Sequence, residues 1–477
     1  MKKILFLLFI LNCFISNGQT WVDCQNSNYV ISAASTSSPG NGSINATDST
    51  IAGYQSHFAI DAKHKFLYVA DRTGNRVLRF SYPITKNQPK ANLVYGQSTF
   101  NTKNANTNVN SLATPLGVAV DSMSGTLWIL DGGNNRVLRF DSAHKNTVNK
   151  PNADQVLGQS NFFSNSPGTT QSTFTIDPFG SYGNLLYYDH ATGNLWVGDN
   201  SNCRVLLFTN AKTLNNGDPA SAVLGQSNYT SNSTTCTASG FGIVYGITMI
   251  GNSLFVTALY HRVLRFDNVY SKINGAPADA VFGQTSFTTS SVGCSATQMN
   301  IPMGITADNS KLYVCDWMNN RIIIFNSATT NTIVSNVLWA TNVSSPGNNA
   351  CTSSSGLSCE SITMDPIYKQ LLISDAQYKR IMVYNAGVGT GIMNKNENYQ
   401  AEFSLYPNPT SGELTVKTTQ KGNLYLEIYN LISQQILKQK INEEETKINL
   451  KDQANGIYFV KVTEEGKIIY HSKVIKQ

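Results

Sequence analysis

Six times in this chain an arginine is followed four residues later by Phe or Tyr: Arg76, Arg136, Arg204, Arg262, Arg321 and Arg380, at intervals of 60, 68, 58, 59 and 59 residues. So regular a period marks an array of like units, with the differences taken up by insertions. The phrase is clearest in Leu127-Trp128-Ile129-Leu130-Asp131, then Gly132-Gly133-Asn134-Asn135, then Arg136-Val137-Leu138-Arg139-Phe140. Two β-branched or aromatic runs flank residues that tolerate a tight turn, which makes an antiparallel hairpin. A further run lies upstream, as in Gly117-Val118-Ala119-Val120-Asp121, and a fourth downstream, read over Val94–Gln97, Val156–Gln159, Val223–Gln226 and Val281–Gln284. Four strands per repeat build one blade of a β-propeller. No fourth run follows Arg380, and an open ring would leave a bare edge. Tyr29-Val30-Ile31-Ser32 has the length and character to supply the missing strand. The expectation is six blades.

The repeats resemble the NHL repeat, through Gly-Val-Ala-Val-Asp at 117–121, Leu-Tyr-Val-Ala-Asp at 67–71 and Asn-x-Arg-Val at 134–137, over roughly residues 50 to 385. That resemblance implies the fold and leaves function open, because binding platforms, sensor domains and some enzymes share it.

The two ends read as transport signals. Met1-Lys2-Lys3 and the apolar run to Ile15 form a secretory signal too short to span a bilayer, with small residues Ser16 and Gly18 before a cut at Gln19. Cys13 offers the alternative of a lipoprotein, for which Leu11 and Asn12 are poor flanks. Residues 402–477 are far more charged than the ring, with ten Lys and nine acidic residues, and alternate short strands with turns, which predicts a small β-sandwich. Tyr406-Pro407-Asn408-Pro409, Gly456–Val462 and the basic Lys473–Lys476 end resemble the type A C-terminal sorting domain of the type IX secretion system. The resemblance implies a Gram-negative cell, passage through both membranes, and the secretion machinery as a partner. The expected organisation is a signal at 1–18, an all-β six-bladed NHL-type propeller at 19–385, a linker at 386–401 and the sorting β-sandwich at 402–477. Net charge of +6 over the chain, with no basic cluster, does not suit nucleic acid.

Asp71, Asp131, Asp199, Asp316 and Asp375 each stand five before their Arg, and a residue needed once for chemistry is not copied five times. These aspartates are expected to cap the hairpin turns, and Arg76, Arg136, Arg204, Arg262, Arg321 and Arg380 to tie each turn to a neighbouring blade. The fourth repeat lacks the Asp and is one residue shorter between its runs. Related six-bladed enzymes carry an axial metal, so a lyase or hydrolase is the alternative function. The ligands would occupy the row Ala59, Ala119, Tyr187, Thr248, Thr306 and Thr363, which holds no strong metal ligand. His57, His64, His144, His190 and His261 fall at unrelated positions, and no catalytic elbow or phosphate loop occurs, so no catalytic residue, metal or cofactor is assigned.

The third repeat places Phe179, Tyr182, Tyr187, Tyr188 and His190 where others carry Val and Ala. Two readings stand: Tyr182, Tyr187, Tyr188 and His190 grip a glycan or an extracellular protein, or they fill a gap between blades. Removal of the signal leaves seven cysteines. Cys351 and Cys359 flank a short polar loop and are expected to pair, with Cys24, Cys203, Cys236, Cys294 and Cys315 unassigned.

Overall fold

The computed structural model describes residues 27–32, 47–51, 56–177, 183–308, 311–326, 328, 332–338, 359–365, 367–375, 379–385, 403–419, 422–430, 434–464 and 467–477. The signal at 1–18, Cys24, Phe179, Tyr182, Cys351 and the linker at 386–401 lie outside them. The chain divides into two compact units after Gly389. Among the described residues every regular element is a strand or a single 3₁₀ turn, and no helix is long and apolar enough to cross a membrane.

The first unit holds six four-stranded antiparallel sheets among its described residues. The second sheet shows the pattern: Pro115–Asp121, Thr126–Asp131, Arg136–Phe140 and Gln155–Leu157, in sequence order. First strands lie side by side in chain order, and Cys359–Asp365 of the sixth sheet lies against both Pro302–Ala307 of the fifth and Ser56–Asp61 of the first. Sheets covered on both faces bury their strands completely, which is why Thr126–Asp131 and Asn194–Asp199 have no exposed residue. The chain closes the ring on itself: Tyr29–Ile31 pairs with Arg380–Asn385, Val30 opposite Met382, as the fourth strand of the sixth sheet.

Each fourth strand is shorter than the sequence suggests. Leu93–Tyr95, Gln155–Leu157, Ala222–Leu224 and Ala280–Phe282 end before the Gly-Gln pair. Gly96, Gly158, Gly225 and Gly283 take φ of 85°, 83°, 87° and 81°, where a side chain is strained, and so turn the chain out of the sheet. The glutamine then clamps the loop: Gln97 Nε2 donates to Asn75 O at 2.8 Å and Asn104 O at 2.9 Å, and Asn104 N donates to Gln97 Oε1. The outer edge of the fourth strand is covered by the following sheet. Val94 N donates to Asn149 Oδ1 and Lys150 N to Val94 O; Val156 and Val223 are held by Asn216-Gly217 and Asn274-Gly275 in the same way. Val30 has the equivalent partners in Asn87 and Gln88, so the closing strand is also capped.

The second unit is a two-sheet sandwich. Phe403–Tyr406, Glu413–Thr418 and Glu445–Asn449 form one sheet; Gln435–Ile441, Leu424–Tyr429, Gly456–Glu464 and Lys467–Lys476 form the other. Leu414, Val416, Leu426, Ile428, Ile448 and Val460 share one core between them. The opening phrase and the basic end lie together: Ile475 N donates to Asn408 Oδ1, Thr410 N to Ile475 O and Gln477 N to Thr410 O.

Candidate functional site

The recurring charges form buried pairs. Arg76, Arg136, Arg204, Arg321 and Arg380 donate from Nε to Asp71, Asp131, Asp199, Asp316 and Asp375 at 2.7–2.9 Å, with side chains at most 1% exposed. The rest of the guanidinium binds the connections that flank its own sheet: Arg136 reaches Phe162 O, Asn108 O and Ser111 O. Asp71 caps its own turn, through Gly74 N. In the other repeats whose contacts are resolved the aspartate is drawn instead to the preceding connection, where Ala113 N, Thr175 N and Asn300 N donate to Asp131, Asp199 and Asp316. Their turns are single 3₁₀ turns, and an asparagine in each, Asn134, Asn202 or Asn319, donates to the same carboxylate. Burial raises Asp131 and Asp316 and pushes Asp199 up to about 6, against the pull of the arginine.

The tie to a neighbouring sheet comes from a different arginine. Arg79, Arg139 and Arg265, three residues further on, donate to Ala143 O, Lys212 O and Ala328 O of the next sheet's outer loop. The residue before the repeat arginine also bridges outward: Asn75 Oδ1 and Asn135 Oδ1 accept from Thr114 N and Ile176 N. In the fourth repeat His261 Nδ1 accepts from Ile301 N at 3.1 Å, so this histidine occupies the asparagine row. Burial lowers its pKa.

Tyr188 and His190 meet in an inter-sheet junction. Tyr188 is buried and stacks on Trp128 of the second sheet, with centroids 4.4 Å apart, while the half-exposed His190 sets its ring edge-on to Tyr188 at 5.3 Å. Asp121 accepts from Lys212 Nζ at 2.8 Å and lies 3.4 Å from His190 Nδ1. Burial acts to raise the Asp121 carboxyl, yet hydrogen bonds from Lys212, Ser124 and Met123 N hold it well below the usual range. The same geometry recurs one sheet on, where Tyr270 OH donates to Asp189, and one sheet back, where His144 stacks at 3.7 Å on His64, itself bonded to Asp61. His144, Lys212 and Tyr270 each stand eight residues after their repeat arginine, a spacing the sequence carries openly. Tyr187 is partly buried against the core, and burial raises its hydroxyl. Of the described members of the aromatic set, Tyr188 and His190 stand in a junction between the second and third sheets.

Toward the ring axis, Thr363 Oγ1 donates to Phe58 O, and Thr306 Oγ1 accepts from Met364 N. His57, from the first sheet, is buried and accepts from Val118 N at 3.1 Å through Nδ1, which leaves its proton on Nε2; burial lowers its pKa to about 3. Asn184 reaches two other sheets, donating to Ile247 O at 2.6 Å and accepting from Ile305 N at 3.1 Å. These inner edges would otherwise present unpaired amides. Among the described residues no three His, Cys, Asp or Glu side chains converge as a metal site.

Cys359 is bonded to Cys315, not to Cys351, with Cα atoms 5.6 Å apart. Both stand beside the Asp316 and Asp375 ends of their sheets, Cys359 opposite Asp375, so adjacent blades bring them within bonding distance that loop proximity alone did not indicate. Cys203, Cys236 and Cys294 are free thiols.

Residues 404–477 match the secretion system C-terminal sorting domain. The protein is accordingly secreted or held at the outer cell surface, and its tail is the segment recognised by the type IX machinery. No curated protein is similar enough to match the chain. Among solved structures the chain is similar to PorZ, an essential surface component of the type IX secretion system of Porphyromonas gingivalis, at 14% identity and TM-score 0.40, over 88% of this chain and 51% of that one. It is similar also to the Cps50 (Swd1) β-propeller domain of Myceliophteria thermophila, at 12% identity and TM-score 0.38, over 70% and 98%. The chain spans about half the length of PorZ.

Proposed function

We propose that residues 19–385 are a six-bladed NHL-type propeller that acts outside the cell as a protein- or glycan-binding module, delivered by the signal at 1–18 and the tail at 402–477. The observation that carries this reading is the combination of a matched export tail with a ring whose recurrent Asp and Arg side chains are committed to internal contacts. What remains for a partner is the face formed by the long connections between sheets, rich in Asn, Ser and Thr and carrying the exposed Phe163 and Val292. Hydroxyl and amide groups around isolated apolar side chains suit a sugar or an extended peptide.

The test is saturable binding of the full chain to arrays of surface polysaccharides and extracellular proteins, repeated with Phe163→Ala. Binding that weakens about tenfold in the variant is expected, within the range for loss of one aromatic contact. Absence of saturable binding on either array would count against the module. A second experiment addresses delivery. Without residues 402–477 the ring should accumulate, folded, in the periplasm; ring outside the outer membrane at normal levels would remove the tail from this role.

A further inference from the structure

Five of the six repeat arginines have a carboxylate on Nε, and Arg262 does not. The register shows what replaced it: Ala258 pairs with Arg262 as Asp131 pairs with Arg136 and Asp199 with Arg204. Arg262 is nevertheless as buried as the others, with no exposed surface. Its two terminal nitrogens keep the carbonyl partners typical of the repeat, Phe287 O for one and Thr237 O and Gly240 O for the other. Its Nε is buried with no acceptor.

Carbonyl dipoles satisfy donors without cancelling a formal charge, and the same carbonyl set elsewhere in the ring comes with a carboxylate. A buried guanidinium left with one donor unpaired is costly. Two neighbours bear on the charge. The Tyr260 ring lies 5.5 Å from the guanidinium carbon, a cation–π contact that adds no anion. Cys236 Sγ lies 3.4 Å from Thr289 O and 3.7 Å from Phe287 O, the latter shared with Arg262. A sulfur set between two carbonyl oxygens is placed as an S–H donor, which a thiolate is not. The burial that lowers the arginine's proton affinity has no carboxylate to oppose it here.

We propose that Arg262 forms a buried site for a small monovalent anion, of which chloride is the representative, bound at Nε on the side where the other repeats carry Asp. The anion completes the fourth hairpin as the aspartate completes the others. This site is independent of any partner on the exposed face.

The full chain is melted at constant ionic strength while sodium methanesulfonate is exchanged for sodium chloride. The melting temperature is expected to rise saturably, by a few degrees. Ala258→Asp, which supplies the carboxylate in register, is expected to start higher and to lose the chloride response, while Cys236→Ser keeps it. A wild-type melting temperature indifferent to the exchange overturns the site, and so does a chloride response retained in full by Ala258→Asp. A response that grows in Cys236→Ser overturns it too, because a Cys236 thiolate would then be the counter-charge in the wild type. Should Ala258→Asp fail to fold, a bromide-soaked crystal decides: an anomalous peak in hydrogen-bond reach of Arg262 Nε upholds the site, and no peak there overturns it.

Discussion

The ring and the tail handle charge in opposite ways. In the ring, Arg136–Asp131 and its counterparts are fully buried; in the tail, Lys417–Glu445 and Lys451–Glu413 each expose about half of both side chains or more. Both units are all-β, so the contrast follows from packing. Each ring sheet is covered on both faces, and its irregular connections must find internal partners for their backbone groups. A buried arginine with several donors meets that need, at a desolvation cost that only its aspartate offsets. The tail's strand Glu413–Thr418 alternates buried and exposed residues, and its charges stay in water.

The largest expected effect comes from breaking one buried pair. Asp131→Ala should destabilise the ring by about 3–5 kcal/mol, measured by denaturant unfolding, and adding Arg136→Met should recover much of that loss. A double variant no more stable than the single would show that the arginine's carbonyl contacts matter more than its charge.

Reduction of Cys315–Cys359 comes next. A bridge between residues 44 apart should contribute about 4 kcal/mol by chain entropy, detectable as a lower unfolding midpoint under reductant. Cys351→Ser should leave that midpoint unchanged, whereas Cys315→Ser should reproduce the reduced value.

Acid should distinguish the two units. His57 is held near 3, below the 6.5 of an unfolded histidine, so between those values the unfolded chain binds a proton that the folded ring does not. Its contribution is complete above about pH 6.5 and declines by about 1.4 kcal/mol per unit as pH falls toward 3. Asp199, raised to about 6, acts with the opposite sign between about 6 and 3.8, so the quantity to measure is the difference between wild type and His57→Gln. That difference should shrink steadily below pH 6.5. In the tail, Lys438 and Tyr429 lower Glu427 and Lys417 lowers Glu445, so their contribution is lost only as pH falls through the carboxylate range.

The smallest effect is expected from Lys417→Ala, which should leave the tail's melting temperature unchanged, because an exposed pair is screened by solvent.

The repeat, its hairpins and the closing strand at Tyr29–Ile31 were legible because periodic apolar runs and turn residues are local properties, written next to one another in the chain. The sorting tail was legible for the same reason. Local patterns do not say which residues meet across the ring. Cys315 and Cys359, Asn184 and Ile305, and Tyr188 and Trp128 are far apart in sequence and are joined only when neighbouring sheets pack. Tyr188 and His190 looked exceptional because the neighbouring junctions, at His64–His144 and Asp189–Tyr270, use different side chains. By itself the sequence determined that this chain is a repeated array of strands with an export tail. Only the tertiary structure decided which cysteines bond and which side chains meet between sheets, because those depend on distances between units and not on order within one.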